Sequence, residues 1–380
     1  MAHHRGPKTT TQDLIFCYDT GNEKSFAGEP TTNYIPQTYN YSLYAYASGP
    51  VDTTAYNEYN TPVSVKRYTI TNAINTARAA IFPSTTTGVF YTFSFKWKYN
   101  GTVTSSPSIA VSAFKGNPET NNNSFTSETA NTISIGNGWY LTTYIFNFSS
   151  NPTGGCMLTF GISTGSNTAY VNETFDIYQA QFEIKNHKTP FVNGTRSVTQ
   201  GLLDLTRNET INLSSVSFDS NAQMSFDGTD DFIDTNFSPT SINYPTIEAV
   251  VYRNTATGRY EAIVQNNVDS DDALYVFPNG TLGFWPCAGS SLTVPTGQWS
   301  YVAVSYNGTT LTYCVNGTIQ VVTTSCADMT DWDFLRMGAH GSGDGERWIG
   351  KIAIAKLYNR ALTSSELYQN YNALKSRFNL

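Results

Sequence analysis

The strongest pattern in the chain is alternation of large apolar and small polar positions. Tyr91, Phe93, Phe95 and Trp97 alternate with Thr92, Ser94 and Lys96, and Tyr140, Tyr144, Phe146 and Phe148 form a second such series. A period of two places one set of side chains on one face of a strand. Further strands are predicted at 14–18, 108–115, 156–162 and 175–184. In the second half they are predicted at 245–252, 260–265, 273–277, 281–285, 299–306, 310–315, 318–323, 334–338 and 350–358. Asn100-Gly101, Asn279-Gly280, Asn307-Gly308 and Asn316-Gly317 sit at the ends of these runs. Such pairs supply positive φ for tight turns, because Gly has no Cβ and Asn tolerates the left-handed region. The second half therefore reads as an antiparallel meander. Residues 31–60 are rich in Tyr, Asn and Thr with weak periodicity, and read as irregular loop over a sheet. Residues 1–12 read as a polar arm ordered by a partner.

One helix closes the chain. Thr363-Ser-Ser-Glu366 is a capping box, and Leu367, Tyr371, Leu374 and Phe378 form one apolar stripe. The helix is expected to pack on a sheet or on a neighbouring subunit. The predicted fold class is all-β: two antiparallel β-sandwich or jelly-roll modules with one short C-terminal helix.

A length of 380 residues suits two domains. The polar run Lys185-Asn-His-Lys188, followed by Pro190 and Gly194, marks a break. Charged residues make up 13% of the chain and aromatic residues 14%. That balance argues against disorder. The net charge is −7, and no block of Lys or Arg occurs. Nucleic acid and anionic lipid are therefore excluded as expected partners. No apolar run reaches the roughly 18 residues of a membrane span, and the N-terminus lacks the apolar segment of a signal peptide. The five cysteines are Cys17, Cys156, Cys287, Cys314 and Cys326, with no CxxC. They are read as buried thiols rather than a disulfide framework or zinc site, with a Cys314–Cys326 bridge left open.

Several segments carry a resemblance. Trp299-Ser-Tyr-Val-Ala-Val-Ser-Tyr-Asn-Gly-Thr and Leu311-Thr-Tyr-Cys-Val-Asn-Gly resemble the central hairpin of concanavalin A-like, laminin G-type domains. Ser225-Phe-Asp-Gly-Thr-Asp-Asp-Phe-Ile resembles their opening strand and turn. Gly350-Lys-Ile-Ala-Ile-Ala-Lys-Leu-Tyr-Asn-Arg-Ala-Leu-Thr resembles their last strand. Leu14-Ile-Phe-Cys-Tyr-Asp-Thr-Gly-Asn-Glu-Lys-Ser-Phe is similar to segments of tailed-phage structural proteins of the cyanophage and marine-phage type. Phe182-Glu-Ile-Lys-Asn-His-Lys-Thr-Pro-Phe-Val-Asn-Gly-Thr-Arg resembles the exit from a carbohydrate-binding-module-like jelly roll of such proteins. The resemblance implies nesting: an arm at 1–12, a first sandwich strand at 13–30, an inserted jelly roll at 31–190, and the remaining sandwich with its helix at 191–380.

Some enzymes share this sandwich. Retaining glucanases of this class resemble one another in a Glu-x-Asp-x-x-Glu strand that pairs two carboxylates. The chain has no such strand, and no Gly-x-Ser-x-Gly elbow. It is therefore expected to be non-enzymatic, with no catalytic residue. The acidic group Asp227, Asp230, Asp231 and Asp234 reads as a turn, with metal binding as the other reading. Asn266-Asn-Val-Asp-Ser-Asp-Asp272 concentrates hard oxygen donors, so Asp269, Asp271 and Asp272 are candidate ligands for Ca²⁺, with an ordinary acidic loop as the other reading. Sugar rings stack on aromatic faces, which makes Trp332, Trp348 and Trp285 candidate carbohydrate contacts by type, each against the alternative of a core aromatic. Trp332, in Thr330-Asp-Trp-Asp, is the one least like a strand residue and is expected to be exposed. His340, in a glycine-rich loop, is a candidate rim residue.

The function expected from these readings is that of a bacteriophage virion structural protein displayed on the particle as capsid decoration or tail, fibre or baseplate component. Its partners would be other virion proteins, further copies of itself in a closed oligomer such as a trimer, and a cell-surface glycan. It would be assembled in the host cytoplasm and located in the virion. A glycan-degrading enzyme and a secreted lectin are the alternatives.

Overall fold

The computed structural model describes the chain except residues 1–7, 36–41, 46, 73–75, 82–84, 104–107, 116–124, 150–155, 164–166, 238–241, 267–272, 327–329, 331, 333–334 and 341–345. The chain is nearly all-β, with antiparallel sheets and one long helix at its end. It divides into two compact units, Met1–Pro30 with Ser197–Leu380, and Thr31–Arg196.

The unit formed by both chain ends is a sandwich. One sheet has eight strands: Ser217–Phe218, Met224–Asp227, Ile349–Tyr358, Thr246–Arg253, Trp299–Tyr306, Thr310–Val315 and Thr318–Thr323 in order, with Leu14–Asp19 also paired to Ile349–Tyr358. The other has six: Ile211–Asn212, Ile233–Thr235, Arg336–Met337, Glu261–Gln265, Ala273–Val276 and Leu282–Trp285. The predicted meander is thus two meanders, Trp299 to Thr323 in one sheet and Glu261 to Trp285 in the other. Asn316 and Gly317 have φ of 48° and 81°, the geometry a two-residue hairpin requires. Ile247, Ala249, Val251, Val302 and Val304 from the first sheet meet Ile263, Leu274, Val276, Leu282 and Phe284 from the second in one core.

The helix Ser364–Phe378 forms as its sequence dictates. Thr363 and Glu366 complete the capping box, and Asn379 ends the helix in the left-handed region. Its Leu367, Leu374, Tyr371 and Phe378 cover the outer face of the eight-stranded sheet against Val250, Tyr301, Ala303 and Ile354. Strands buried on both faces read as continuous apolar runs, which explains Tyr301-Val-Ala-Val304.

Three expectations need correction here. Residues 8–12 are not a free arm. Thr10 N donates to Asn370 Oδ1 at 2.7 Å, Tyr358 Oη to Thr10 O at 3.0 Å, and Gln369 Nε2 to Lys8 O at 2.7 Å. Asn370 in turn donates to the buried carboxylate of Glu248, which also accepts from Tyr301, Lys356 and Tyr358. The polar character of the arm is therefore used within the fold. Two cysteines are bridged: Cys287 and Cys326 form a disulfide with Cα atoms 5.8 Å apart. They lie 39 residues apart in loops, where spacing alone has no signature, while Cys17 and Cys314 are buried free thiols. Burial pushes both thiols up to about 12. Finally, residues 31–60 contain the strands Thr31–Thr32, Ser42–Ala45 and Ala47–Tyr56. Ala47–Tyr56 is an edge strand with a register shift between Ser48 and Val51, and its solvated positions blur the alternation.

The unit Thr31–Arg196 pairs a six-stranded sheet with a four-stranded one. The six strands run Ala47–Tyr56, Pro62–Ile70, Thr174–Glu183, Phe90–Tyr99, Trp139–Phe148 and Phe125–Gly136 in order. The four are Ser42–Ala45, Thr76–Ile81, Cys156–Ser163 and Ser108–Lys115. Asn100-Gly101 is not a hairpin turn, because Phe90–Tyr99 and Ser108–Lys115 belong to different sheets. The alternating aromatics make the core: Tyr91 stacks on Phe182 at 5.5 Å, and Phe93, Phe95 and Phe160 cluster at 5.0–5.3 Å. Thr31–Thr32 pairs with Thr195–Arg196. Nearby, the buried Glu183 carboxylate accepts from Thr31 Oγ1, Gln181 Nε2, and the backbone N and Oγ1 of Thr189, at 2.7–3.0 Å. A carboxylate can be buried when its oxygens are satisfied in this way.

Candidate functional site: an aromatic depression beside Glu346

The helix covers the outer face of the eight-stranded sheet. The outer face of the six-stranded sheet carries an aromatic cluster instead. Leu274 and Val276 point into the sandwich core, so Ala273, Tyr275 and Phe277 alternate to the other side, where they meet Tyr260 and Ala262. Trp285 pairs with Ala273 in register and is 40% exposed. Tyr260 makes edge contacts with Tyr275, Phe277 and Trp285 at ring-centroid distances of 5.3–5.6 Å. Between these rings lies an open depression of about 170 Å³, lined by Tyr260, Tyr275, Trp285 and Glu346.

Each wall is held by local chemistry. Tyr260 precedes Glu261, whose buried carboxylate takes a two-pronged contact from Arg253 at 2.6 and 2.8 Å and accepts from Thr257 N and Oγ1 at 2.8 Å. That closes the turn carrying Tyr260. Phe277 lies over two glycines: a β-carbon at Gly283 would be 2.3 Å from its ring and one at Gly289 2.6 Å. The chain beyond Trp285 is tethered by the Cys287–Cys326 disulfide, by Ser290 Oγ donating to Leu282 O at 2.6 Å, and by Tyr313 Oη donating to Ala288 O at 2.7 Å. Glu346 arrives on a returning segment: Ala339 bridges Arg347, His340 N donates to Glu346 O at 3.3 Å, and Trp348 N donates to Gly338 O at 2.9 Å. Tyr275 Oη then donates to Glu346 Oε2 at 2.6 Å, which orients the carboxylate. Among the described residues its Oε1 has no partner.

The sequence candidates separate clearly. Trp285 stands at the depression. Trp348 is fully buried and anchors the segment that delivers Glu346. Trp332 is not exposed: it packs in the core, edge-on to Phe237 at 6.0 Å. His340 is buried and contributes its backbone at the base of the Glu346 segment. Asp269, Asp271 and Asp272 lie outside the described residues. Asp227, Asp230 and Asp231 bring carboxylate oxygens within 4.8 Å of one another, a set of hard donors. Both Asp231 oxygens already accept backbone N–H groups, from Ser217 and Asp227 at 2.7 Å, and burial raises its carboxyl above the usual range. Asp234 pairs with Arg336 at 2.7 Å and stands apart. Sequence reasoning missed Tyr260, Tyr275, Phe277 and Glu346. Periodicity held no signal for Tyr275 and Phe277, because both alternating sets of 273–277 are apolar.

Residues 227–367 match the family described as the Concanavalin A-like lectin/glucanases superfamily. This part of the chain is thus similar to concanavalin A-like domains of the laminin G type. The depression lies within it. No curated protein sequence matches the chain. Among similar solved structures is a Trypanosoma rangeli sialidase in complex with the inhibitor DANA. It is 12% identical with a TM-score of 0.36, over 45% of this chain and 30% of that one. Another is domain 4 of AbnA, a GH43 extracellular arabinanase from Geobacillus stearothermophilus, in complex with arabinotriose. It is 18% identical with a TM-score of 0.36, over 46% of this chain and 93% of that one. The chain thus spans under a third of the sialidase's length. The expectation of a non-enzymatic chain is corrected by these findings, because glycosidases stand among the similar structures. At such identity the likeness concerns the fold alone and assigns no catalytic residue.

Proposed function

We propose that this chain binds glycans through the depression of Tyr260, Tyr275, Trp285 and Glu346, and that it does so from the surface of a tailed-phage particle. The observation that carries the binding reading is the depression itself. Edge-packed aromatic rings offer flat apolar faces to the C–H faces of a sugar, and a fixed carboxylate accepts its hydroxyls. A partly exposed Trp held in place by neighbours suits stacking, because little side-chain entropy is lost on binding.

The particle setting rests on the resemblance of residues 14–26 and 182–196 to tailed-phage structural proteins. Repeated display would turn a shallow, weak site into strong attachment by avidity, and a closed homo-oligomer such as a trimer provides that repetition. A glycan array probed with the full chain and with Trp285→Ala tests the binding reading. Glycans retained by the first and lost by the second are expected. An array without Trp285-dependent signal overturns it. Chromatography of the bound glycan after incubation separates binding from hydrolysis. Cryo-EM of particles containing the protein tests the setting, and density nowhere on the particle contradicts it.

A further inference from the structure

We infer that the depression takes a single terminal, uncharged sugar ring and rejects acidic sugars; this rests on the glycan reading above and specifies its ligand. Size is the first argument. At about 170 Å³ the space is well below the roughly 300–1,000 Å³ typical of sites for larger ligands, so it holds one ring rather than an oligosaccharide segment. The fully buried Tyr275 forms the floor, while Tyr260 and the 40% exposed Trp285 form walls. A sugar enters end-on, with the remainder of its glycan outside.

Charge is the second argument. An ionised carboxylate accepts hydrogen bonds and donates none. Glu346 Oε2 is committed to Tyr275 Oη, which leaves Oε1 for ligand hydroxyls. No Lys or Arg side chain lines the depression among the described residues. Uronic and sialic acids carry a carboxylate that such a cation would balance, and here it would face the like charge of Glu346 instead. Neutral hexoses, 6-deoxyhexoses and pentoses present only hydroxyl donors to that oxygen.

The test titrates the full chain with methyl glycosides of neutral hexoses, 6-deoxyhexoses and pentoses, and with methyl uronides and a methyl sialoside, read by ligand-observed NMR. Glu346→Gln keeps an acceptor for Tyr275 and so keeps the fold, and Trp285→Ala removes the wall. The expected result is a preference of at least about tenfold for the best neutral glycoside over its uronide. Glu346→Gln should narrow that preference, and Trp285→Ala should abolish binding of both. Equal binding of neutral and acidic glycosides that still depends on Trp285 overturns this inference and leaves the glycan reading standing. An affinity that climbs with oligosaccharide length beyond two rings also overturns it. Absence of any Trp285-dependent binding removes the glycan reading, and this inference with it.

Discussion

Replacing Arg253 by methionine is the sharpest test of how the depression is built. Arg253 and Glu261 are 3% and 0% exposed in their side chains, and they pair through both guanidinium prongs. Arg253 Nη1 also donates to Val294 O at 3.1 Å. Removing the cation leaves a carboxylate buried beside an apolar stem, and breaking such a pair from one side costs about 3–5 kcal/mol. In Arg253→Met with Glu261→Gln the uncompensated charge is gone, while an amide oxygen still accepts from Thr257. The double variant should therefore recover about half of the loss. The chain has two units, so a global unfolding curve mixes them. Alkylation of Cys314, a buried thiol of this unit, followed by peptide mass across a urea series reports this unit alone. A single variant costing under about 1 kcal/mol, or a double variant less stable than the single, refutes the reasoning.

Other outcomes follow from the same geometry. Gly283→Ala should lower stability by about 1–3 kcal/mol in the Cys314 alkylation series, because its β-carbon meets the Phe277 ring, and should weaken sugar binding through Tyr260. Replacing Cys287 and Cys326 together by serine should cost roughly 3–4 kcal/mol on the loop-entropy account for a closure of 39 residues, read by the same alkylation series. Glu366 is held down to about 2, chiefly by its hydrogen bond from Arg360, aided by the Thr363 cap. A depressed carboxyl contributes stability above its unfolded value of 4.5, and that contribution is lost as pH falls through about 2. The group is partly solvated, so the contribution is about 1 kcal/mol; Glu366→Gln should remove it at pH 7 and change little below pH 2.

The fold class was legible because alternation, Asn-Gly pairs and the capping box at Thr363 are local signals. The strands at 299–306, 310–315 and 318–323 stand where their patterns put them. What escaped notice depends on which alternating set faces inward. In 273–277 both sets are apolar, so periodicity cannot distinguish the core pair Leu274 and Val276 from the exposed-side pair Tyr275 and Phe277. Trp332 misled for another reason: polar neighbours in sequence do not set the direction of an indole, and this one is buried. The Cys287–Cys326 bridge and the Tyr275–Glu346 contact join residues 39 and 71 apart, through loops that carry no pattern. At Asp269, Asp271 and Asp272 the calcium reading remains a proposal.

The central claim is that a sugar ring sits against Trp285. Incorporation of 5-fluorotryptophan gives one ¹⁹F resonance for each of the six tryptophans, and Trp285→Phe assigns the relevant one. Titration with a glycan selected on the array should shift the Trp285 resonance saturably, with the fully buried Trp139 and Trp348 resonances unmoved. A glycan that binds while the Trp285 resonance stays fixed would contradict the account.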